Sequence, residues 1–150
     1  PITDLYDVEE VQAQAFLSKR WSEIDEEQLY KSQLIFVDLS GEGKAYYLAT
    51  YIYVTTVLLG SSNFVSPDGI TRKYGLWDFE DGINLICDMI ANKDTKYEGL
   101  QNHQFLQYLT KTQLDILEDW LKHIASIEDV FENTDIDQEK LNRALQVLHR

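Results

Sequence analysis

The sequence predicts a mainly α-helical single domain, and three observations carry that expectation. The chain has 150 residues and only two prolines, Pro1 and Pro67, so nothing after residue 67 is forced out of a helix. Three pairs at capping-box spacing, Asp25 with Gln28, Thr110 with Gln113 and Asp135 with Gln138, each stand ahead of apolar residues. Those apolar residues recur at intervals of three and four, the period of a helix with one buried face. A chain of this length usually buries one core. With no internal repeat, low-complexity tract or linker to divide it, residues 1–150 are expected to form one domain.

Taken in order, Thr3 is placed to cap a first helix running to about Ser18, with Leu5, Val8, Val11, Ala15 and Phe16 near one face. Asp25 and Gln28 open a short helix through about Ser32. Leu34 to Leu39 is a short apolar stretch that fits either a short strand or a turn. The run from Ala45 to Leu59 is rich in β-branched and aromatic residues, which favour strand. It is nevertheless long for a strand, has no turn signal inside it, and is followed by Gly60, where a helix C-terminus wants glycine. A central helix over about residues 41–59 is therefore expected, apolar all round and buried by neighbours on several sides.

Residues 60–76 read as a loop, with Gly60, Ser61, Ser62, Asn63, Ser66, Pro67, Asp68 and Gly69 supplying turn chemistry. Asp78 is placed to cap a helix carrying Phe79, Ile83, Ile86 and Ile90. After a polar connection over residues 92–99, Thr110 opens a helix bearing Leu114, Leu117, Leu121 and Ile124. Asp135 is placed to open a last helix with Leu141, Leu145 and Leu148 on one face.

Composition narrows the function classes. With 26 Asp and Glu against 13 Lys and Arg the formal charge is −13, yet 44% of the residues are hydrophobic, enough to drive folding. Such acidity argues against binding nucleic-acid backbones or anionic lipid surfaces. The longest apolar-leaning run, Ala45 to Leu59, carries three threonines and is shorter than the ~20 residues of a membrane span. The first residues lack the basic and apolar regions of a secretory signal, and the single Cys87 allows no internal disulfide. A cytoplasmic location is expected.

Signatures of catalysis are missing: no nucleophile elbow, no phosphate-cradling glycine loop, no histidine pair at metal-ligand spacing. A non-enzyme without metal or cofactor is expected. His103, His123 and His149 lie far apart, and His123 follows Asp119 by four residues, the spacing of a surface ion pair. Asp135, Asp137 and Glu139 alternate like the start of a calcium loop, but Lys140 stands where that loop needs glycine and no Glu closes it. Cys87, beside Ile86 and close to Met89, reads as a small core residue.

The acidic residues cluster. Glu128, Asp129, Glu132, Asp135, Asp137 and Glu139 form one group without an intervening Arg or His and with Lys140 only after it. Glu23, Asp25, Glu26 and Glu27 form a second, and Asp78, Glu80 and Asp81 a third. The first two are the candidate docking surface for a basic protein, because such fields steer association, while the ordinary reading is a solvated face. Nine tyrosines and three tryptophans are many for this length, and Tyr46, Tyr47, Tyr51 and Tyr53 crowd one helix. Packing explains them most simply. The alternative function is a small-ligand pocket lined by Tyr46, Tyr51, Tyr53 and Trp77.

Residues Leu39-Ser40-Gly41-Glu42-Gly43-Lys44-Ala45-Tyr46-Tyr47-Leu48-Ala49-Thr50-Tyr51 resemble an uncharacterised bacterial domain family with a Leu-Ser/Thr-x-Glu start and a Tyr-Tyr-Leu-Pro-x-Tyr helix. Ala49 stands where that family carries Pro, and Phe105 to Gln113 partly echoes its Phe-x-x-x-Thr-x-x-Gln segment. The resemblance spans about residues 21–125 and implies no reaction. In size, acidity and lack of a catalytic motif the chain is also similar to bacterial immunity proteins. That likeness implies neutralisation of a basic toxin, such as a nuclease that holds phosphates with Lys and Arg.

Overall fold

A computed structural model describes residues 20, 23–32, 41–59, 75–91 and 104–149. Within them the chain is helical, without a strand, as the periodicity predicts. The helices are α1 (Glu26–Ser32), α2 (Gly41–Leu59), α3 (Glu80–Ala91), α4 (Lys111–Ala125), α5 (Val130–Asn133) and α6 (Gln138–Leu148). Short 3-10 turns at Leu76–Phe79 and Gln104–Tyr108 lead into α3 and towards α4. The expected helix from Thr3 to Ser18, the stretch Leu34–Leu39, and most of the loop at 60–76 and the connection at 92–99 lie outside the described residues. No described helix is long and apolar enough to cross a membrane.

Two helix starts follow from local chemistry. The Asp25 carboxylate accepts the Gln28 N–H at 2.8 Å, while the Gln28 side-chain oxygen accepts the Asp25 N–H at 3.1 Å. The same reciprocal pair joins Thr110 and Gln113, at 3.2 and 2.8 Å. Each satisfies two amide donors that a helix start leaves without partners. Two other starts differ from expectation. Asp78 lies inside the turn ahead of α3 and accepts the Gly75 N–H at 2.8 Å, so it organises the turn, not the helix start. At the last helix the cap is Asp137 and not Asp135: its carboxylate accepts the N–H groups of Glu139 and Lys140 at 2.9 and 3.1 Å.

Tertiary bonds explain the shift from Asp135 to Asp137. Glu80, Asn84 and Asp88 form one stripe along α3 at four-residue spacing. Glu80 accepts the Asp135 N–H at 2.7 Å, and Asn84 donates to the Asp135 carbonyl and accepts the Asp137 N–H, both at 2.8 Å. Asp88 pairs with the Lys140 ammonium at 2.8 Å. Residues 135–137 are thus held non-helical along α3, Ile136 is buried between the two bracketed positions, and the helix starts after them.

The packing closes a circuit. Helix α6 lies between α3 and α4, α4 also contacts α2, and the Leu76–Phe79 turn joins α3 back to α2. One core fills the middle, with Phe79, Ile83, Ile86, Ile90, Leu117, Leu121, Ile124 and Leu141 at or near zero exposure. Cys87 belongs to it as expected; burial pushes its thiol up to about 12, far from a reactive thiolate.

Within the β-branched run, threonine hydroxyls find partners in the helix itself. Thr55 donates to the Tyr51 carbonyl and Thr56 to the Ile52 carbonyl, the four-residue back-bonding that lets threonine sit in a helix. Thr55 also accepts the Trp120 indole N–H at 2.7 Å, which fastens α2 to α4 in the interior. Tyr47, Leu48, Thr50, Tyr51, Val54 and Thr55 are buried. The opposite strip of α2 is open to solvent, with Tyr46 47% and Tyr53 57% exposed. Uniform apolarity therefore buries one side of this helix and leaves carbon on the other.

Candidate functional site

The open strip of α2 forms one wall of a groove. Ala45, Ala49, Ile52, Tyr53 and Thr56 of that strip supply the wall together with buried Leu48, and Leu109, Gln113 and Ile116 supply the other. The volume is about 470 Å³. The second wall is positioned by the Thr110–Gln113 box, which starts α4 at once after Leu109, while the Gln104–Tyr108 turn packs on α2. The Trp120–Thr55 bond ties the two helices together in the interior. Ala45 and Ala49, one turn apart, keep the groove wide, and Tyr53 and half-exposed Ile116 stand at its edges.

The groove's polar groups are largely engaged within the chain. Gln113 accepts from Thr110, and Thr56 donates to Ile52. Its described lining contains no carboxylate, imidazole or thiol, so it offers shape and carbon surface, not acid–base or nucleophilic chemistry. Carboxylates stand beyond the lining. Glu42 lies one turn before Ala45 on α2, and Asp119 lies one turn after Ile116 on α4. Lys111 and Lys122 sit more than about 100° around α4 from Ile116 by the helical repeat; Lys122 is engaged there with Glu118 at 3.0 Å.

The acidic clusters divide by what each carboxylate does. At α1, Glu23 pairs with Arg20 at 3.7 Å, Asp25 caps the helix, Glu27 pairs with Lys31 at 3.4 Å, and Glu26 is half-buried in the first turn. In the C-terminal group Asp137 caps α6 and Glu139 pairs with Arg143. Asp135 is exposed, with its backbone pinned to Glu80 and Asn84. Glu128, Asp129 and Glu132 are exposed around the start of α5, where Asp129 has φ 56° and makes no side-chain cap bond. In the third group Asp78 and Glu80 hold backbone amides, and Asp81 is exposed.

The four aromatics read as a pocket do not meet in one. Tyr53 lines the groove, but Tyr51 is 1% exposed in the core, where burial pushes its phenol well above its ordinary range. Tyr46 stacks edge-on against Tyr47 with ring centroids 4.8 Å apart. Trp77 lies on the Leu76–Phe79 turn, its indole over Gly75, where a β-carbon would come within 2.7 Å of the ring. Neighbouring Tyr30 packs edge-on against Phe79 at 6.3 Å. Asp119 and His123 form no ion pair among the described residues; Glu118 instead gathers Lys122 and His149. No group of acidic, histidine or cysteine residues suited to hold a metal occurs among the described residues.

Sequence reasoning missed Leu109, Gln113 and Ile116. A signal existed: on α4, Ile116 falls outside the stripe of Leu117, Leu121 and Ile124, a surplus apolar residue on an otherwise polar face. Compared with protein-family models, with curated proteins and with solved structures, the chain gives no significant match.

Proposed function

We propose that this chain is a non-catalytic binding protein for a basic protein partner, in its most concrete form an immunity protein that caps a toxin domain. The observation that carries the proposal is an open apolar groove on a chain of charge −13, with exposed Glu42 and Asp119 one turn along the helices from its lining residues Ala45 and Ile116. Apolar and aromatic surface supplies the affinity of protein contacts, and a field of one sign supplies steering and rejects partners of like charge. The exposed turn of Glu128, Asp129 and Glu132, which the fold uses little, adds to that field. Competition with a nucleic acid for the Lys and Arg of a nuclease is the form that toxin neutralisation takes here.

The test is capture from cell extract on the immobilised chain, at low and at high salt, beside a Glu128→Lys, Asp129→Lys, Glu132→Lys variant. A basic protein held by the first and released by salt is expected, with association slowed by the reversal. Equal capture by both proteins, or a retained partner that is acidic, refutes the proposal.

A further inference from the structure

We infer that the groove between α2 and α4 receives an amphipathic helix of about three turns, presented by the partner and carrying Lys or Arg along its edges. This rests on the proposed binding function and specifies its mode of recognition. The dimensions fit: Ala45 to Thr56 is twelve residues of α2, about 16 Å from first to last at helical rise, which matches three turns of a second helix. An amphipathic helix places apolar side chains at i, i+3 or i+4 and i+7, a row that one long apolar groove can hold. Ala45 and Ala49 let the incoming backbone come close, and Tyr53 and Ile116 form the walls that its side chains meet.

Charge selects the occupant. Exposed Glu42 and Asp119 each lie one turn along their helix from a lining residue, whereas Lys44, beside Ala45, is only 3% exposed, so cations at the partner helix's edges are matched and carboxylates are repelled. His123 stands two turns past Ile116 on the same edge of α4, beyond the lining. A second copy is disfavoured, because pairing groove to groove brings together two chains of charge −13 and sets the same carboxylates against each other.

The probe is a synthetic labelled peptide of about twelve residues, with Leu at positions 1, 4, 8 and 11 and Lys at the flanking positions. Two controls have the same composition scrambled and Lys replaced by Glu. Fluorescence anisotropy with the full chain should show the Lys peptide bound and both controls at least about tenfold weaker, a difference of about 1.4 kcal/mol. Tyr53→Ser and Ile116→Ser change half-exposed side chains, so circular dichroism should be unchanged while Lys-peptide affinity falls about tenfold. Ala49→Phe fills the groove without removing any wall and should also weaken binding.

Equal binding of the scrambled peptide, or no effect of any groove variant, overturns the inference. If only the Glu128, Asp129 and Glu132 reversal then weakens the peptide, the proposed function stands and the groove is excluded. If no peptide binds and the chain sediments as a dimer that Tyr53→Ser dissociates, the groove belongs to a second copy and the inference fails.

Discussion

Helix α6 meets α3 along a finished seam, whereas α2 meets α4 along an unfinished one. In the first, Leu141 and Ala144 are buried, and the edge is closed by Glu80, Asn84 and Asp88, which take up the amides of Asp135 and Asp137 and the Lys140 ammonium. In the second, a buried bond joins Trp120 to Thr55, and beyond it the described lining is mostly carbon, with Ala45, Ala49, Ile52 and Ile116. The difference begins in the sequence. α6 carries apolar residues on one face only, so burying that face satisfies it, but α2 is apolar nearly all round and one neighbour layer cannot cover it. Carbon left in water on one side of a helix is surface available to a partner.

The contrast predicts where stability and binding reside. The largest effect is expected from Leu141→Ala, which opens a cavity in the closed seam and should cost about 2–5 kcal/mol in urea unfolding. Asn84→Ala comes next. It strips partners from the Asp135 carbonyl and the Asp137 N–H, both exposed to water that can replace them, and should cost about 0.5–1.5 kcal/mol. Tyr53→Ser and Ile116→Ser should change stability by no more than about 0.5 kcal/mol, because neither side chain is a core group. If either groove variant destabilises as Leu141→Ala does, the groove is part of the core and the contrast collapses.

A smaller effect is set by pH. Lys122 and then His149, by hydrogen bonding, hold the Glu118 carboxyl below its ordinary 4.5. A depressed folded-state value means that this contribution is complete above the unfolded value and fades as pH falls through the folded one. Urea unfolding from pH 6 downward should therefore lose slightly less stability in Glu118→Gln than in the native chain. An identical acid slope in both would remove this carboxylate from the account.

Elements fixed within a few residues were legible. Asp25 with Gln28 and Thr110 with Gln113 cap their helices as the spacing predicts, because both partners of each bond lie inside one turn. The central helix was legible from its length and from Gly60, despite its β-branched residues. Spacing alone predicts Asp135 as the last cap, but the cap is Asp137, since the bonds that decide it come from Glu80 and Asn84, more than fifty residues earlier. The groove was illegible for the same reason. Its walls are about sixty residues apart in the chain and meet only after packing, so no local pattern joins Ala49 to Ile116.

The exposed aromatics of the chain allow the most direct measurement, hydroxyl-radical footprinting with and without the captured basic partner. Tyr53 borders the groove, whereas Tyr30 and Trp77 are exposed beside the Leu76–Phe79 turn and serve as internal references. Protection of Tyr53 and Ile116, with Tyr30 and Trp77 oxidised at their original rates, is the predicted result. Undiminished oxidation of Tyr53 in a saturated complex would contradict the account.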